Sequence, residues 1–394
     1  MNVMTAEINP IIPLERLQNA DKILFIVYLA IGDYTYLQNC FKAFHEAYPH
    51  IKIDLFIDDR RRTSDETKWE ALKNYSLYDW IKATPFYNTV YCENYRPDLY
   101  EAAINLARTE QYDAVVSLAT LSPSHYAALA RKIAGDRGFA CAMDFEPGLF
   151  QLSAKKIRKS LDACIEVKPA ERGPEHHVSD EYGHWFKQIG NIELTKKEKY
   201  PFIEIPETWK TWASDEVIRL DAAQKRRVFI NSFAKNKKRC WPMTHVIELI
   251  QKMNEMPEWR DTLFVVNSVP EAFAATKAEL DAANIQNVHL FSATENFFQL
   301  PAMLDVMDLI ISVETAVMHL ANAVKVPVIA LMRLKTPEWV PIDLENSIVI
   351  FNEKRRHHVA DIEPDRVIKA LPNLDDLKLA MEEAGEQKNR EVEA

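Results

Sequence analysis

Ile23-Leu-Phe-Ile-Val-Tyr-Leu-Ala30 runs for eight residues without a charge. It shows no alternation, so both of its faces are suited to burial, as in a central strand of a parallel sheet. Gly32-Asp33 then marks a turn, a helix extends to about Ala47, and Pro49 stops it. Ile51 to Ile57 follows as a second strand of alternating character, which completes a βαβ unit. A helix over 98–110 leads into a further strand over 114–118. The second half repeats the pattern. Strands over 227–231, 263–267, 288–291, 309–313 and 327–331 alternate with helices over 242–254, 271–283, 297–306 and 315–324. Short apolar strands alternating with amphipathic helices predict a doubly wound α/β fold in each half. The charged, proline-punctuated stretch 195–206 reads as a linker, which gives domains over 1–200 and 201–372 with a solvated helical tail over 373–394.

Composition narrows the function. The chain has 394 residues, 47% of them hydrophobic, 27% charged, with a net charge of −10. That suits a two-domain enzyme and argues against broad nucleic-acid binding. The five cysteines form no C-x-x-C pair, as in a reduced cytoplasmic protein. With only 8 glycines, the chain has neither a Walker A loop nor a G-x-G-x-x-G fingerprint. The longest apolar run, Ile23 to Ile31, is too short to span a membrane and too deep in the chain for a signal peptide.

Ligands of open α/β sheets bind beyond the carboxyl ends of the strands, so residues just after each strand are the candidates. After the strand at 309–313 stand Glu314 and Thr315. They open a helix whose buried stripe is Val317, Leu320, Ala321 and Val324 and which leaves Glu314, Thr315 and His319 at its mouth. The free N–H groups there favour an anion; Thr315 as a plain N-cap accounts for the same pattern. After the strand at 227–231 come Ser232, Lys235, Lys237, Lys238 and Arg239, ahead of a helix opened by Pro242. This is a phosphate-binding loop or a solvated basic one. Asp33 is either a helix cap or a general base. Arg60, Arg61 and Arg62 after the second strand grip an acidic ligand or face solvent. The adjacent pairs His176-His177 and His357-His358 are poorly placed for one metal.

Ser312-Val-Glu-Thr-Ala-Val-Met-His-Leu-Ala-Asn-Ala-Val-Lys-Val-Pro-Val-Ile-Ala330 resembles the signature of the lipopolysaccharide heptosyltransferases, glycosyltransferase family nine. Their motif is Asp-Thr-Gly, two variable residues, His, an alanine-rich helix, then a proline before a strand. Ile31-Gly-Asp33 with Tyr48-Pro49, Arg239-Cys-Trp-Pro242, Gly135 to Phe139 and His177 to Gly190 are similar to other family elements. The likeness spans about residues 20–372.

The resemblance implies a GT-B fold, two Rossmann-like domains facing across a cleft, with the acceptor on the N-terminal half and the donor on the C-terminal half. It implies inverting, metal-independent transfer of heptose from ADP-heptose to a lipid A-core glycolipid, with no cofactor beyond the nucleotide sugar. Asp33 would be the base. Arg239, Lys238 and the N–H groups of Thr315 and Ala316 would stabilise the departing diphosphate, and Ser232 and His319 would add hydrogen bonds. Glu314 would hold donor hydroxyls, and Arg60 to Arg62 would bind the acidic acceptor and an anionic membrane face. That places the protein in the cytoplasm, peripheral to the inner face of the bacterial inner membrane. Glu314 and Ala316 stand where the family has Asp and Gly, and Leu331-Met332-Arg333 stands where it often has an aromatic residue and Gly. These departures bear on the donor sugar more than on the reaction class. The alternatives are a GT-B enzyme using another nucleotide sugar and a non-catalytic nucleotide-sugar-binding homologue.

Overall fold

In the computed structural model β1 (Lys22–Val27) is central in a six-stranded, all-parallel sheet, flanked by β2 (Lys52–Ile57) and β4 (Ala114–Ser117). With β3 (Tyr87–Tyr91), β5 (Phe139–Met143) and β6 (Ala163–Ile165) the order is β3-β2-β1-β4-β5-β6. The structure describes residues 9–58, 60–169 and 176–371, and the tail expected over 373–394 lies outside them. The chain divides into two compact units between Lys199 and Tyr200.

Ile23 to Val27 are fully buried, as their unbroken apolar character demands. Phe25 packs against Phe41, Phe44 and Phe186 at 5.1, 5.6 and 5.8 Å between ring centres. Two expectations change here. The strand stops at Val27, and Gly32-Asp33 is the first turn of the helix Ile31–Ala47 instead of a separate turn. The cause is local: the Asp33 carboxylate accepts from the Ala30 N–H at 3.1 Å, which closes the helix start. β2 does not alternate either, because it lies between two strands and is buried from Ile53 to Ile57. Its polar member, Asp54, is satisfied by the Thr89 N–H (2.9 Å), Asn88 Nδ2 (2.8 Å) and the Tyr112 hydroxyl (2.6 Å).

The second unit repeats the plan. Its strands are β7 (Arg226–Asn231), β8 (Thr262–Asn267), β9 (Val288–Phe291), β10 (Leu309–Val313), β11 (Val328–Met332) and β12 (Ser347–Phe351). They run parallel in the order β12-β11-β10-β7-β8-β9. Counted within each unit, the first strand lies beside the fourth in both sheets, so the winding direction reverses there. That switch point is where doubly wound sheets bind ligands. It puts the ends of β1 and β4 in one unit, and of β7 and β10 in the other, at the candidate positions.

Candidate active site

In the first unit Asp33 follows β1 and is partly buried. One carboxylate oxygen takes the Ala30 N–H, and the other takes the Tyr182 hydroxyl at 2.9 Å. Tyr182 comes from the helix Val178–Gly190, which packs along the helix Ile31–Ala47. That second helix is capped by His177, whose Nδ1 accepts from the Ser179 N–H at 3.1 Å, while Asp180 accepts from the His177 N–H at 2.9 Å. His177 is thus a cap. Burial raises the Asp33 pKa above the ordinary aspartate value, and the bonds from Tyr182 and Ala30 only partly offset it. No cation among the described residues pairs with Asp33. It is a carboxylate with heightened proton affinity, the state a general base requires.

The arginines after β2 separate into different roles. Arg62 pairs with the fully buried Asp58 at 2.6 Å and lies 3.7 Å over the Tyr100 ring. It neutralises a buried charge, so its expected acceptor role competes with a structural one. Arg61 stacks over Tyr75 at 4.3 Å, and the Arg60 guanidinium bonds the Ser122 hydroxyl. Arg60 and Ser122 both have positive φ, 56° and 52°. Two non-glycine residues in the left-handed region, bonded to each other, mark a locally constrained pair.

In the second unit Asn231, at the end of β7, gathers the switch point. Its Nδ2 donates to Ser312 Oγ at 3.1 Å and Thr315 Oγ1 at 3.0 Å, and its Oδ1 accepts from Asn267 at 2.9 Å. Thr315 caps the helix Ala316–Ala323, accepting from the Val317 N–H at 3.3 Å. That helix is buried along nearly its whole length, so it lacks the one-sided stripe expected of it. His319 is 2% exposed with its ring 5.9 Å from Trp339, and Glu314 is 3% exposed. Neither sits at an open mouth, and Thr315 and Ala316 beside them are half-buried.

Glu314 has a full set of protein partners. Arg333 holds it with Nε on Oε2 and a terminal nitrogen on Oε1, both at 3.1 Å, and Thr336 donates to Oε1 at 2.8 Å. Arg239 Nε lies 3.2 Å from Oε1, out of line for a hydrogen bond, and it has no other hydrogen-bond partner in the described structure. One buried carboxylate therefore serves two guanidiniums, which leaves a net positive charge. Arg333 is itself 7% exposed, whereas the Arg239 side chain keeps 38% of its surface open. Glu314, expected to hold donor hydroxyls, is in this structure held by Arg333 and Thr336 and lies beside Arg239. Around Arg239, Lys235, Lys237 and Lys238 are exposed, and Ser232 is buried with its carbonyl accepting the Trp241 N–H at 2.9 Å. Trp241 Nε1 donates to the Ile362 carbonyl at 2.7 Å and fixes the loop.

Tyr182 and Thr336 lie away from the strand ends, and Asn231 and Arg333 stand at strand ends but are not among the site residues read from the sequence. Arg333 was visible only as a departure from the family pattern, and Tyr182 only inside a stretch similar to the family. Among the described residues no group of three or more His, Cys, Asp or Glu side chains could hold a metal, and no helix is long and apolar enough to cross a membrane.

The comparisons with known proteins agree with this architecture. Among solved structures, a glycosyltransferase family 9 protein from Veillonella parvula superposes with a TM-score of 0.66 at 16% identity, covering 89% of this chain and 95% of that one. The E. coli ADP-heptose lipopolysaccharide heptosyltransferase II gives 0.65 at 17% identity, covering 92% and 99%. The E. coli heptosyltransferase WaaC, solved with ADP, gives 0.61 at 14%, covering 89% and 98%. The fold is therefore GT-B, in line with the order of both sheets. No curated protein matches the chain in sequence. The model of glycosyltransferase family 9 (heptosyltransferase) matches residues 107–367. With two-thirds of its length matched and its two sheets wound alike, the chain belongs to glycosyltransferase family 9, the heptosyltransferases.

Proposed function

We propose that this glycosyltransferase moves heptose from ADP-heptose, with inversion, onto a sugar of a lipid A-core glycolipid. The first unit takes the acceptor, and the second takes the nucleotide sugar. The observation that carries the reading is the contrast between two carboxylates at strand ends. Glu314 is bound by arginine and cannot serve as a base, whereas Asp33 has no cation partner among the described residues and a raised pKa. Asp33 accepts the proton of the acceptor hydroxyl while that oxygen bonds to the anomeric carbon. The bond from that carbon to the diphosphate breaks, and ADP leaves with the electron pair. Arg239, Lys238 and the N–H groups opening the helix at Thr315 and Ala316 receive the charge, so the reaction runs without an essential metal. The protein works as a peripheral cytoplasmic enzyme at a membrane face. The test is ADP release with ADP-heptose and a lipid A-core acceptor, compared with a panel of other nucleotide sugars. Transfer from another donor, with ADP-heptose inert, would select the second reading. That reading is favoured by one observation: Arg333 occupies the carboxylate that faces the donor sugar in the family pattern.

Two outcomes follow from the site. Arg239→Ala weakens ADP binding by about 10- to 150-fold, the loss of one charge-assisted hydrogen bond of about 1.5–3 kcal/mol. Calorimetry with ADP reads it, and unchanged affinity makes the loop a solvated basic surface. Reversing Arg60 and Arg61 to Glu raises the acceptor KM and leaves ADP affinity unchanged. Arg62 is left in place because it neutralises Asp58. Acceptor kinetics that do not move would remove these side chains from the site.

A further inference from the structure

The three most exposed large apolar side chains among the described residues lie within four positions: Leu149 (77%), Phe150 (92%) and Leu152 (75%). Single exposed apolar residues are ordinary, but a cluster of this kind marks an interaction surface. It opens the helix Leu152–Ser160. From Pro147 to Leu161 the chain holds no acid and four bases, Lys155, Lys156, Arg158 and Lys159, within a protein of net charge −10. Of the flanking acids, Asp144 pairs with Arg158 at 2.8 Å and Asp162 with Arg131, which leaves Glu146. Lys156 and Lys159 are exposed, and they follow Leu152 by one and two helical turns on the same face.

The tip is built. Lys155 Nζ donates to the Leu149 carbonyl at 2.8 Å, and the Gly148 N–H donates to Gln151 Oε1 at 3.1 Å. At the other end Arg131 Nε holds the Ser160 carbonyl at 2.8 Å. The apolar side chains therefore point outward from a braced turn, and docking them costs little ordering of the chain.

We infer that Leu149, Phe150 and Leu152 dip into the interface of an anionic lipid bilayer while Lys156 and Lys159 lie against its phosphates. Apolar tips beside a lysine fringe are the composition of an interfacial membrane element. A two-fold contact with a second copy would set this basic face against itself. Three side chains and a short helix also offer less area than a stable protein interface of about 1,000 Å² needs. The purpose of the surface rests on the glycolipid reading above, but the binding itself is independent of donor and acceptor.

The full chain is sedimented with vesicles of phosphatidylcholine alone and with vesicles carrying phosphatidylglycerol. Wild type partitions at least about tenfold more strongly onto the anionic vesicles and is released as salt is raised. Phe150→Asp with Leu149→Asp, and separately Lys156→Glu with Lys159→Glu, each lower the partitioning by about tenfold or more, with ADP affinity and melting temperature unchanged. Equal binding to both vesicle types, no binding by wild type, or variants that bind like wild type would overturn the proposal. So would a wild-type dimer that the aspartate variant turns into a monomer, which assigns the face to a second copy. Loss of transfer activity with vesicle binding intact would count against the donor reading alone.

Discussion

Asp33→Asn lowers turnover by about 10²- to 10⁴-fold, the contribution of a general base, while ADP affinity stays at the wild-type value. Asparagine keeps the size of the side chain and can still accept from the Ala30 N–H or the Tyr182 hydroxyl, so the helix start survives. In the wild type the acidic limb of the rate profile lies above the ordinary aspartate range, because burial raises this pKa. Stability moves in the opposite sense to activity. A carboxyl whose folded pKa is raised favours the fold most below its unfolded pKa, and that contribution is lost as pH rises through the folded value. Asparagine carries no such loss. The variant therefore gains on the wild type across that window and holds a constant advantage above it. Turnover, ADP affinity and melting temperature at several pH values check all three statements, and near wild-type turnover would falsify the base assignment.

Arg333→Met destabilises the second unit by about 3–5 kcal/mol, because it removes the bidentate partner of a buried carboxylate. For a unit of about 200 residues that is a fall of roughly 6–20 °C in melting temperature. The coupled variant, Arg333→Met with Glu314→Gln, recovers much of the loss, since no buried carboxylate is then left without its bidentate hydrogen bonds. ADP affinity falls in the single variant, where Glu314 is left to pull on Arg239 alone. Additive losses in the double variant would mean that the two side chains do not act as a pair.

The legible parts of the fold are those where one local property suffices. β1 is apolar without a break from Ile23 to Val27, and β10 is apolar but for Ser312, because both are central, and short-range sequence carries that information. β5, Phe139-Ala-Cys-Ala-Met143, and β6 are short apolar runs rich in alanine and cysteine, which suit a helix as readily as a strand, and β3 carries Asn88 and Thr89, so their sequences do not single them out as strands. The site divides along the same line. Asp33, Arg239, Glu314 and Thr315 stand at strand ends, where the chain order itself points. Tyr182 reaches Asp33 from 149 residues away, and Arg333 meets Glu314 across two strand ends. The partners of Glu314 were not legible because a carboxylate's partners are a property of packing. The two departures at Glu314 and Arg333 are one feature, a matched ion pair, and only the structure brings them together.

The arrangement of the two sheets also has a consequence for synthesis on the ribosome. Every strand of the first sheet precedes residue 166, and the helix Val178–Gly190 closes that unit, with the Ile11 N–H donating to the Gln188 carbonyl. The first strand of the second sheet begins only at Arg226. The N-terminal unit can thus complete its hydrogen bonding while its successor is still being translated, with no edge waiting for a late strand. The C-terminal unit follows the same course later: its central strand β7 waits for β10, some 80 residues on, as β1 waits for β4, and its loop at Trp241 is pinned only when Ile362 arrives. Nascent chains arrested after the first unit has emerged should already resist protease there, and the half that carries Arg239 and Glu314 should become resistant last.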